Sequence, residues 1–186
     1  MENYRDRLLA LLKERALGFG EVTLSSGRRS SYYVDGRLVT LSPEGAYVVG
    51  QALLDELRDE KVDAIGGPTM GADPIATAVS VLSQIEGKPI SAFIVRKEPK
   101  KHGRGRWIEG PPLEPGYRAV IVDDVATTGA SLVKAAAAVE ETGATVVRII
   151  TLVDRGEGAR ETLAARGYRF TPLFTAADLG VPSPED

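Results

Sequence analysis

The chain has 186 residues, of which 43% are hydrophobic and 26% are charged, and its formal net charge is −3. This length suits one globular domain with a sizeable core, and the negative charge argues against general nucleic-acid binding. The absence of cysteine excludes disulfides, thiolate catalysis and thiolate zinc sites, so any metal is expected to be a hard, oxygen-bound cation such as Mg²⁺. No apolar run is long enough to span a bilayer, and the first residues mix acids with bases, unlike a secretion signal. We therefore expect a cytoplasmic protein without membrane segments.

The first part of the chain predicts a helix followed by a small β-rich region. Leucines recur at helical spacing from Tyr4 to Leu17, and Gly18 and Gly20 are expected to end that helix. Residues 21–40 combine β-favouring residues with turn signals, which indicates short strands of a hood over a sheet. A Ser-Pro pair then opens a second helix, expected over residues 42 to about 60.

The next part predicts a strand, a glycine-rich turn, a helix and another strand. The strands are expected over residues 63–66 and 90–95, and the helix over residues 75–84. Backbone N–H groups of the turn, residues 66–74, can bind a phosphate group. An ordinary tight connection is the alternative, and the glycines alone do not separate the two.

Residues 96–106, Arg-Lys-Glu-Pro-Lys-Lys-His-Gly-Arg-Gly-Arg, concentrate positive charge in a chain that is negative overall. Pro99, Gly103 and Gly105 disfavour a regular helix or strand. Such a run is commonly a solvated surface or a weak nucleic-acid patch. It also suits a mobile lid over a bound substrate. If a diphosphate group leaves that substrate, cationic donors closing over it stabilise the negative charge that develops on it.

The centre of the chain predicts a strand, a binding turn and a helix. Residues 119–122 are an unbroken apolar run, and residues 132–138 are good helix formers. Between them lie Asp123, Asp124 and the small polar segment 127–131. Unpaired N–H groups and hydroxyls at a helix start favour a phosphate, whereas paired carboxylates suit sugar hydroxyls or a hydrated cation. A phosphorylated sugar would account for both the turn that favours a phosphate and the paired carboxylates. An ordinary loop would not need the paired acids.

The remaining sequence continues the alternation of strands and helices. Strands are expected over residues 144–153 and 168–174, with a helix over residues 159–166. Alternation of this kind predicts a mostly parallel α/β sheet. We expect one domain, with a hood over residues 1–40 and a core over about residues 43–175.

The run Val120-Ile-Val-Asp-Asp-Val-Ala-Thr-Thr-Gly129 resembles the phosphoribosyl diphosphate (PRPP) signature of the type I phosphoribosyltransferases. The resemblance implies a mostly parallel central sheet flanked by helices, with a small N-terminal hood. It also implies that Asp123 and Asp124 hold the ribose hydroxyls and contact PRPP-bound Mg²⁺ through water. The other PRPP-binding residues that it implies in this segment are Val125, Ala126, Thr127, Thr128, Gly129, Ala130 and Ser131.

The pattern Arg-Lys-Glu-x-Lys-x-His-Gly in the basic segment resembles the catalytic loop of the orotate phosphoribosyltransferases. This implies that Arg96, Lys97, Lys100 and His102 contact the diphosphate of PRPP, some of them from the neighbouring subunit of a homodimer. The implied catalytic residues are Lys100, His102, Asp123 and Asp124.

Two further segments resemble the same family. The segment Thr-Leu-Ser-Ser-Gly-Arg-Arg-Ser-Ser-Tyr-Tyr, ending at Tyr33, resembles the base-binding segment, and Asp-Arg-Gly-Glu around Arg155 resembles the segment whose arginine meets orotate. The implied orotate-binding residues are Tyr33, Thr127 and Arg155. From the residues alone, a buried aromatic pair and a salt bridge from Arg155 to a neighbouring acid are the alternatives.

The implied activity is transfer of ribose 5-phosphate from PRPP to orotate, which gives orotidine 5′-monophosphate and diphosphate in de novo UMP synthesis. The chain departs from the family pattern at Ser25 and at Met70-Gly71, where many members have lysine and a Tyr-Lys pair. A phosphoribosyltransferase for another base is one alternative. A PRPP-sensing regulator of the same fold that binds nucleic acid is the other, and it would show a steep salt dependence of binding.

Overall fold

The computed structural model describes residues 3–23, 29–98 and 107–181, and for residues 21–23 and 29–30 it describes the backbone alone. The helices are α1 (Tyr4–Leu11), α2 (Arg37–Thr40), α3 (Pro43–Glu56), α4 (Ala72–Ile85), α5 (Ala130–Glu140) and α6 (Ala159–Ala164). The strands are β1 (Leu17–Thr23), β2 (Arg29–Val34), β3 (Ala64–Pro68), β4 (Ser91–Val95), β5 (Ile108–Glu109), β6 (Arg118–Ala126), β7 (Thr145–Asp154) and β8 (Phe170–Thr175). A π-helical segment, Leu12–Ala16, continues α1, and a 3₁₀ turn, Ala177–Leu179, follows β8.

The N-terminal helix begins at a side-chain cap and packs on the core. Asn3 accepts a hydrogen bond from the Asp6 backbone N–H, which satisfies one of the free donors at the helix start. Leu8, Leu11 and Leu12 are fully buried, so the predicted amphipathic helix is confirmed. The antiparallel hairpin of β1 and β2 forms a sheet of its own.

Six strands form the main sheet in the order β5-β4-β3-β6-β7-β8. Every adjacent pair is parallel except β4 and β5, which pair antiparallel at one edge. The sheet separates two hydrophobic clusters, because Val120 and Val122 belong to one and Ala119 and Ile121 to the other. Residues of α1, α3 and α4 join the first cluster and residues of α5 and α6 join the second, so helices cover both faces. The expected mostly parallel α/β sheet flanked by helices is confirmed.

The strand order places a topological switch between β3 and β6. The chain leaves β3 for α4 on one face of the sheet and leaves β6 for α5 on the other. A crevice therefore opens at the carboxyl ends of these two neighbouring strands, which is where open α/β sheets bind ligands. The turn after β3 and the turn after β6 both border this crevice.

Several predicted boundaries were wrong, and one of them concerns the site. Strand β6 extends to Ala126, so Asp123 and Asp124 lie within the strand rather than in the turn. The reason is that β6 goes on pairing with β7 beyond the apolar run. Asp123 lies opposite Thr151, and the pairing continues to Ala126. Composition alone cannot show such continued pairing, because carboxylates are uncommon in strands.

The other corrections are smaller. Helix α5 begins at Ala130, two residues before the predicted helix, and α4 begins at Ala72 rather than at residue 75. Helix α3 ends at Glu56, short of residue 60. Strand β1 already begins at Leu17, so the glycines expected to separate helix from hood lie inside the strand.

Candidate active site

The turn after β6 presents the start of a helix to the crevice. Gly129 has φ +78°, and an added Cβ would come 3.2 Å from the Ala159 Cα, so the turn requires glycine there. Because Gly129 is the N-cap of α5, no cap side chain accepts the first N–H groups of this helix. Thr128 and Ser131 are exposed at the same place, and Thr127 is partly buried. Free N–H groups, hydroxyls and the helix dipole together suit a phosphate.

Two carboxylates lie directly before that turn. Oδ1 of Asp123 accepts the Asp124 backbone N–H at 3.0 Å, and Oδ1 of Asp124 accepts the Val125 N–H at 2.8 Å. Burial raises the pKa of Asp123 well above its ordinary value, and the charges of Asp124 and Asp73 add to the increase. Burial also raises the pKa of Asp124, which the positive charge of Arg37 partly opposes. The crevice thus holds crowded negative charge, which donors or cations would stabilise.

The turn after β3 packs directly against these carboxylates. A Cβ added to Gly71 would overlap Oδ1 of Asp123 and would lie 2.5 Å from Oδ1 of Asp124. In the same turn, the peptide bond between Thr69 and Met70 is cis. The Thr69 hydroxyl donates to Asp73 Oδ2 at 2.7 Å, which ties the turn to the first residues of α4. A side chain at position 71 would therefore require these two carboxylates to shift.

For the PRPP-dependent activity that the family resemblance implies, we expect Gly71→Ala to lower kcat/KM for PRPP about tenfold or more, because the added methyl group must displace the carboxylates that face the crevice. Gly71→Lys should not restore a missing lysine contact and should be at least as impaired. Steady-state kinetics with both variants check this, with the melting temperature as a control for folding. An active Gly71→Lys enzyme would show that the two turns do not pack this closely in solution.

The segment after β7 places Arg155 beside the turn after β6, residues 127–129, which is called the phosphate turn below because it suits a phosphate. Its backbone N–H donates to the Ala126 carbonyl at 3.0 Å, one residue before the turn begins. Its Nε lies 2.8 Å from Oε1 of Glu157, and its guanidinium carbon lies 4.5 Å from the centre of the Tyr32 ring. The salt bridge that the sequence offered as an alternative for Arg155 is therefore present. The side chains of Arg155 and Glu157 are only 4% and 2% exposed.

The two tyrosines of the hood face opposite ways, as neighbours in a strand must. Tyr32 is buried against Arg155, whereas Tyr33 is 43% exposed and its ring covers Gly18 of the paired strand. Sequence reasoning singled out Tyr33 and missed Tyr32 and Glu157. Strand alternation could have indicated that one tyrosine points inward, but only the folded hairpin shows which one meets Arg155.

The basic segment leaves the sheet next to the β3 turn. The Thr69 N–H donates to the Val95 carbonyl at 3.0 Å, so β4 ends where that turn begins. Arg96 is exposed and pairs with Glu109 of β5 at 3.0 Å, and Lys97 is exposed. Lys100 and His102 lie outside the described residues. The ends of the segment are thus anchored by β4 and β5 at the carboxyl edge of the sheet.

An apolar groove of about 1090 Å³ adjoins the crevice. Its walls come from α2, α3 and α4, and its exposed apolar side chains are Leu38, Leu41, Tyr47, Met70 and Val81. Asp35, Arg37 and Asp73 line the same groove and connect it with the buried carboxylates. Sequence reasoning did not identify this surface.

Two kinds of feature are absent from the described parts of the chain. No helix there is long and apolar enough to cross a membrane. Nor do His, Asp and Glu side chains in those parts form a group of three or more arranged to hold a metal ion.

Comparison with known proteins places this geometry in a family. Residues 41–167 match the phosphoribosyl transferase domain. An orotate phosphoribosyltransferase of Rhodopseudomonas palustris (strain TIE-1) is 47% identical over 177 residues, which cover 94% of this chain and 95% of the relative. One from Synechocystis sp. is 47% identical over 175 residues, covering 94% of this chain and 88% of the relative.

Solved structures agree with these relatives. The Mycobacterium tuberculosis H37Rv orotate phosphoribosyltransferase in complex with PRPP has a TM-score of 0.79 at 38% identity, covering 96% of this chain and 99% of that one. The orotate phosphoribosyltransferase from Aeropyrum pernix has a TM-score of 0.77 at 37% identity, covering 92% of this chain and 95% of that one. An uncapped helix start at a switch point, adjoining acids and this similarity over almost the whole chain agree: the chain belongs to the orotate phosphoribosyltransferases, pentosyltransferases of the phosphoribosyltransferase family.

Proposed function

We propose that this chain transfers the 5-phosphoribosyl group of PRPP to N1 of orotate in the crevice between β3 and β6. The bond from C1 of the ribose to the diphosphate breaks, and its electron pair leaves with the diphosphate. N1 forms the new bond to C1 and releases its proton to solvent. The products are orotidine 5′-monophosphate and diphosphate, in the pathway to UMP. The observation that carries this proposal is the juxtaposition of Asp123, Asp124 and the uncapped start of α5 at one crevice.

In this proposal the phosphate end of PRPP occupies the turn from Ala126 to Ser131, with its charge against the free N–H groups of α5. Asp123 and Asp124 accept hydrogen bonds from the ribose hydroxyls. These donors offset the cost of two buried, adjacent carboxylates, whose pKa values the fold raises. The sugar is thereby held with C1 toward the β3 turn and the basic segment, where the diphosphate departs.

Orotate lies between the hood and the segment after β7. The planar fork of Arg155 suits the carboxylate of orotate, and its backbone bond to Ala126 sets it beside the phosphate turn. Tyr33 and Thr127 complete the base site. An arginine in this place favours orotate over uracil, which has no carboxylate.

Mg²⁺ fits this site as an ion carried by PRPP rather than as a resident metal. Crowded carboxylates with raised pKa values are stabilised by a divalent cation, yet the described residues supply no cage of three ligands. Asp123 and Asp124 would hold the hydrated ion through water. When bound, Mg²⁺ neutralises part of the diphosphate charge.

A homodimer accounts for the groove beside the crevice. A second copy covering Leu38, Leu41 and Met70 would bury apolar surface that is exposed in the single chain. It would also bring its own basic segment near the acids that line the groove. The proposal further comprises one phosphoribosyltransferase domain over residues 1–186, with a hood mainly over residues 1–40, a cytoplasmic location, and no nucleic-acid or membrane partner.

The test is consumption of orotate. Ultraviolet absorbance of orotate should fall when the protein, PRPP and Mg²⁺ are mixed, and the loss should require all three. Uracil, hypoxanthine and adenine should be consumed far more slowly. Turnover of one of these bases instead would assign another substrate, and salt-dependent nucleic-acid binding without turnover would identify a regulator.

A further inference from the structure

Arg155 is fixed by two side chains that the proposed reaction does not use directly. Glu157 forms an ion pair with the guanidinium, with 2.8 Å between Oε1 and Nε, and the Tyr32 ring lies 4.5 Å from the guanidinium carbon. The three groups come from two parts of the chain, the hood and the segment after β7. All three are nearly inaccessible to solvent, with Tyr32 5% exposed.

A tight turn of the backbone brings Glu157 against Arg155. Gly156 and Gly158, on either side of Glu157, have φ +71° and +99°, conformations that favour glycine. The Gly156 N–H donates to Asp154 Oδ1 at 3.0 Å, which closes the turn.

We expect the burial of this ion pair to add little to the free energy of unfolding. Two charges lose their hydration when they are buried, and well-packed apolar residues often serve equally well at such places. This pair lies one backbone hydrogen bond from the phosphate turn, at the edge of the crevice. A role in ligand recognition therefore accounts for this ion pair better than a role in stability.

We propose that Glu157 is a positioning residue that holds the guanidinium of Arg155 in the orientation that receives the carboxylate of the base substrate, with Tyr32 supporting its face. The inference rests on the proposed function and extends it to the residue that sets selectivity for an anionic base. The carboxylate of Glu157 also balances the charge of Arg155 before substrate binds. Glu157 acts through Arg155 and does not touch the reacting atoms.

The test compares Glu157→Ala with Glu161→Ala, which removes the same charge from an exposed position on α6. We expect Glu157→Ala to raise KM for orotate about tenfold, because the guanidinium loses the carboxylate that fixes its position, and to leave KM for PRPP within about twofold. The calorimetric Kd of orotidine 5′-monophosphate should rise in parallel. Glu157→Gln keeps an oxygen acceptor for Nε and should lose less, and Glu161→Ala should match the wild type.

A double-mutant cycle separates positioning from general stability. In an Arg155→Lys background, which lacks the fork, Glu157→Ala should change KM for orotate by less than about twofold. The inference is overturned if Glu157→Ala leaves KM for orotate unchanged, weakens both substrates equally, or has its full effect without Arg155. If Glu157→Ala does not fold, the same criteria apply to Glu157→Gln. Absence of orotate turnover by the wild type would instead refute the proposed function.

Discussion

Lys100→Ala should lower kcat about 100- to 1000-fold at saturating PRPP and orotate, the loss expected when one preorganised donor to a developing charge is removed. The diphosphate gains negative charge as its bond to C1 breaks, so a cation closing over it stabilises the transition state more than the ground state. The ends of the basic segment support this placement. Val95 at its start is bonded to Thr69 of the β3 turn, next to the carboxylates.

Lys88→Ala is the matched control for this substitution. Lys88 is an exposed lysine that precedes β4 and lies at the opposite end of the sheet from the crevice. Its removal should leave kcat within about twofold of the wild type, as for most surface substitutions. Unchanged turnover in Lys100→Ala would refute the proposal that the basic segment closes over the diphosphate. It would not refute the proposed PRPP site.

Asp124→Asn should lower kcat/KM for PRPP about 100-fold. The amide oxygen can still accept the Val125 N–H, so the local backbone is retained, but the charge proposed to accept the ribose hydroxyls is lost. Hydrogen bonds to a charged group contribute about 1.5–3 kcal/mol, and misplacement of the sugar adds to the loss. Steady-state kinetics with PRPP as the varied substrate measure it, with Asp59→Asn as the exposed control. A wild-type value in Asp124→Asn would mean that the sugar binds elsewhere.

Mixing the two inactive variants tests whether sites are shared between subunits. If Lys100 acts in the partner's crevice, a mixed dimer of Lys100→Ala and Asp124→Asn chains contains one intact site. Random exchange of subunits should then restore about one quarter of wild-type activity. Each pure variant must be shown to be inactive before mixing, because residual activity would otherwise be mistaken for recovery. No recovery despite proven subunit exchange would place both residues in one chain's own site.

The sequence by itself determined the fold class and the central motif. The apolar run before Asp123 and the helix formers after Ser131 specify strand, turn and helix through local patterns, since burial on both faces and helix propensity are properties of short segments. The long signature around them identified the family, and 47% identity with a curated relative agrees with it. Local chemistry also indicated which residues suit an anion and which suit hydroxyl groups.

Tertiary structure decided what lies opposite those residues. Only the strand order brings Gly71 onto the carboxylates and Val95 to the β3 turn, because both contacts join segments far apart in the chain. Likewise, the choice of Tyr32 over Tyr33 as the partner of Arg155 depends on how the hairpin packs. Short-range patterns specify elements and their exposed chemistry, whereas contacts between distant segments depend on the packing of the whole sheet and are visible only in the folded chain.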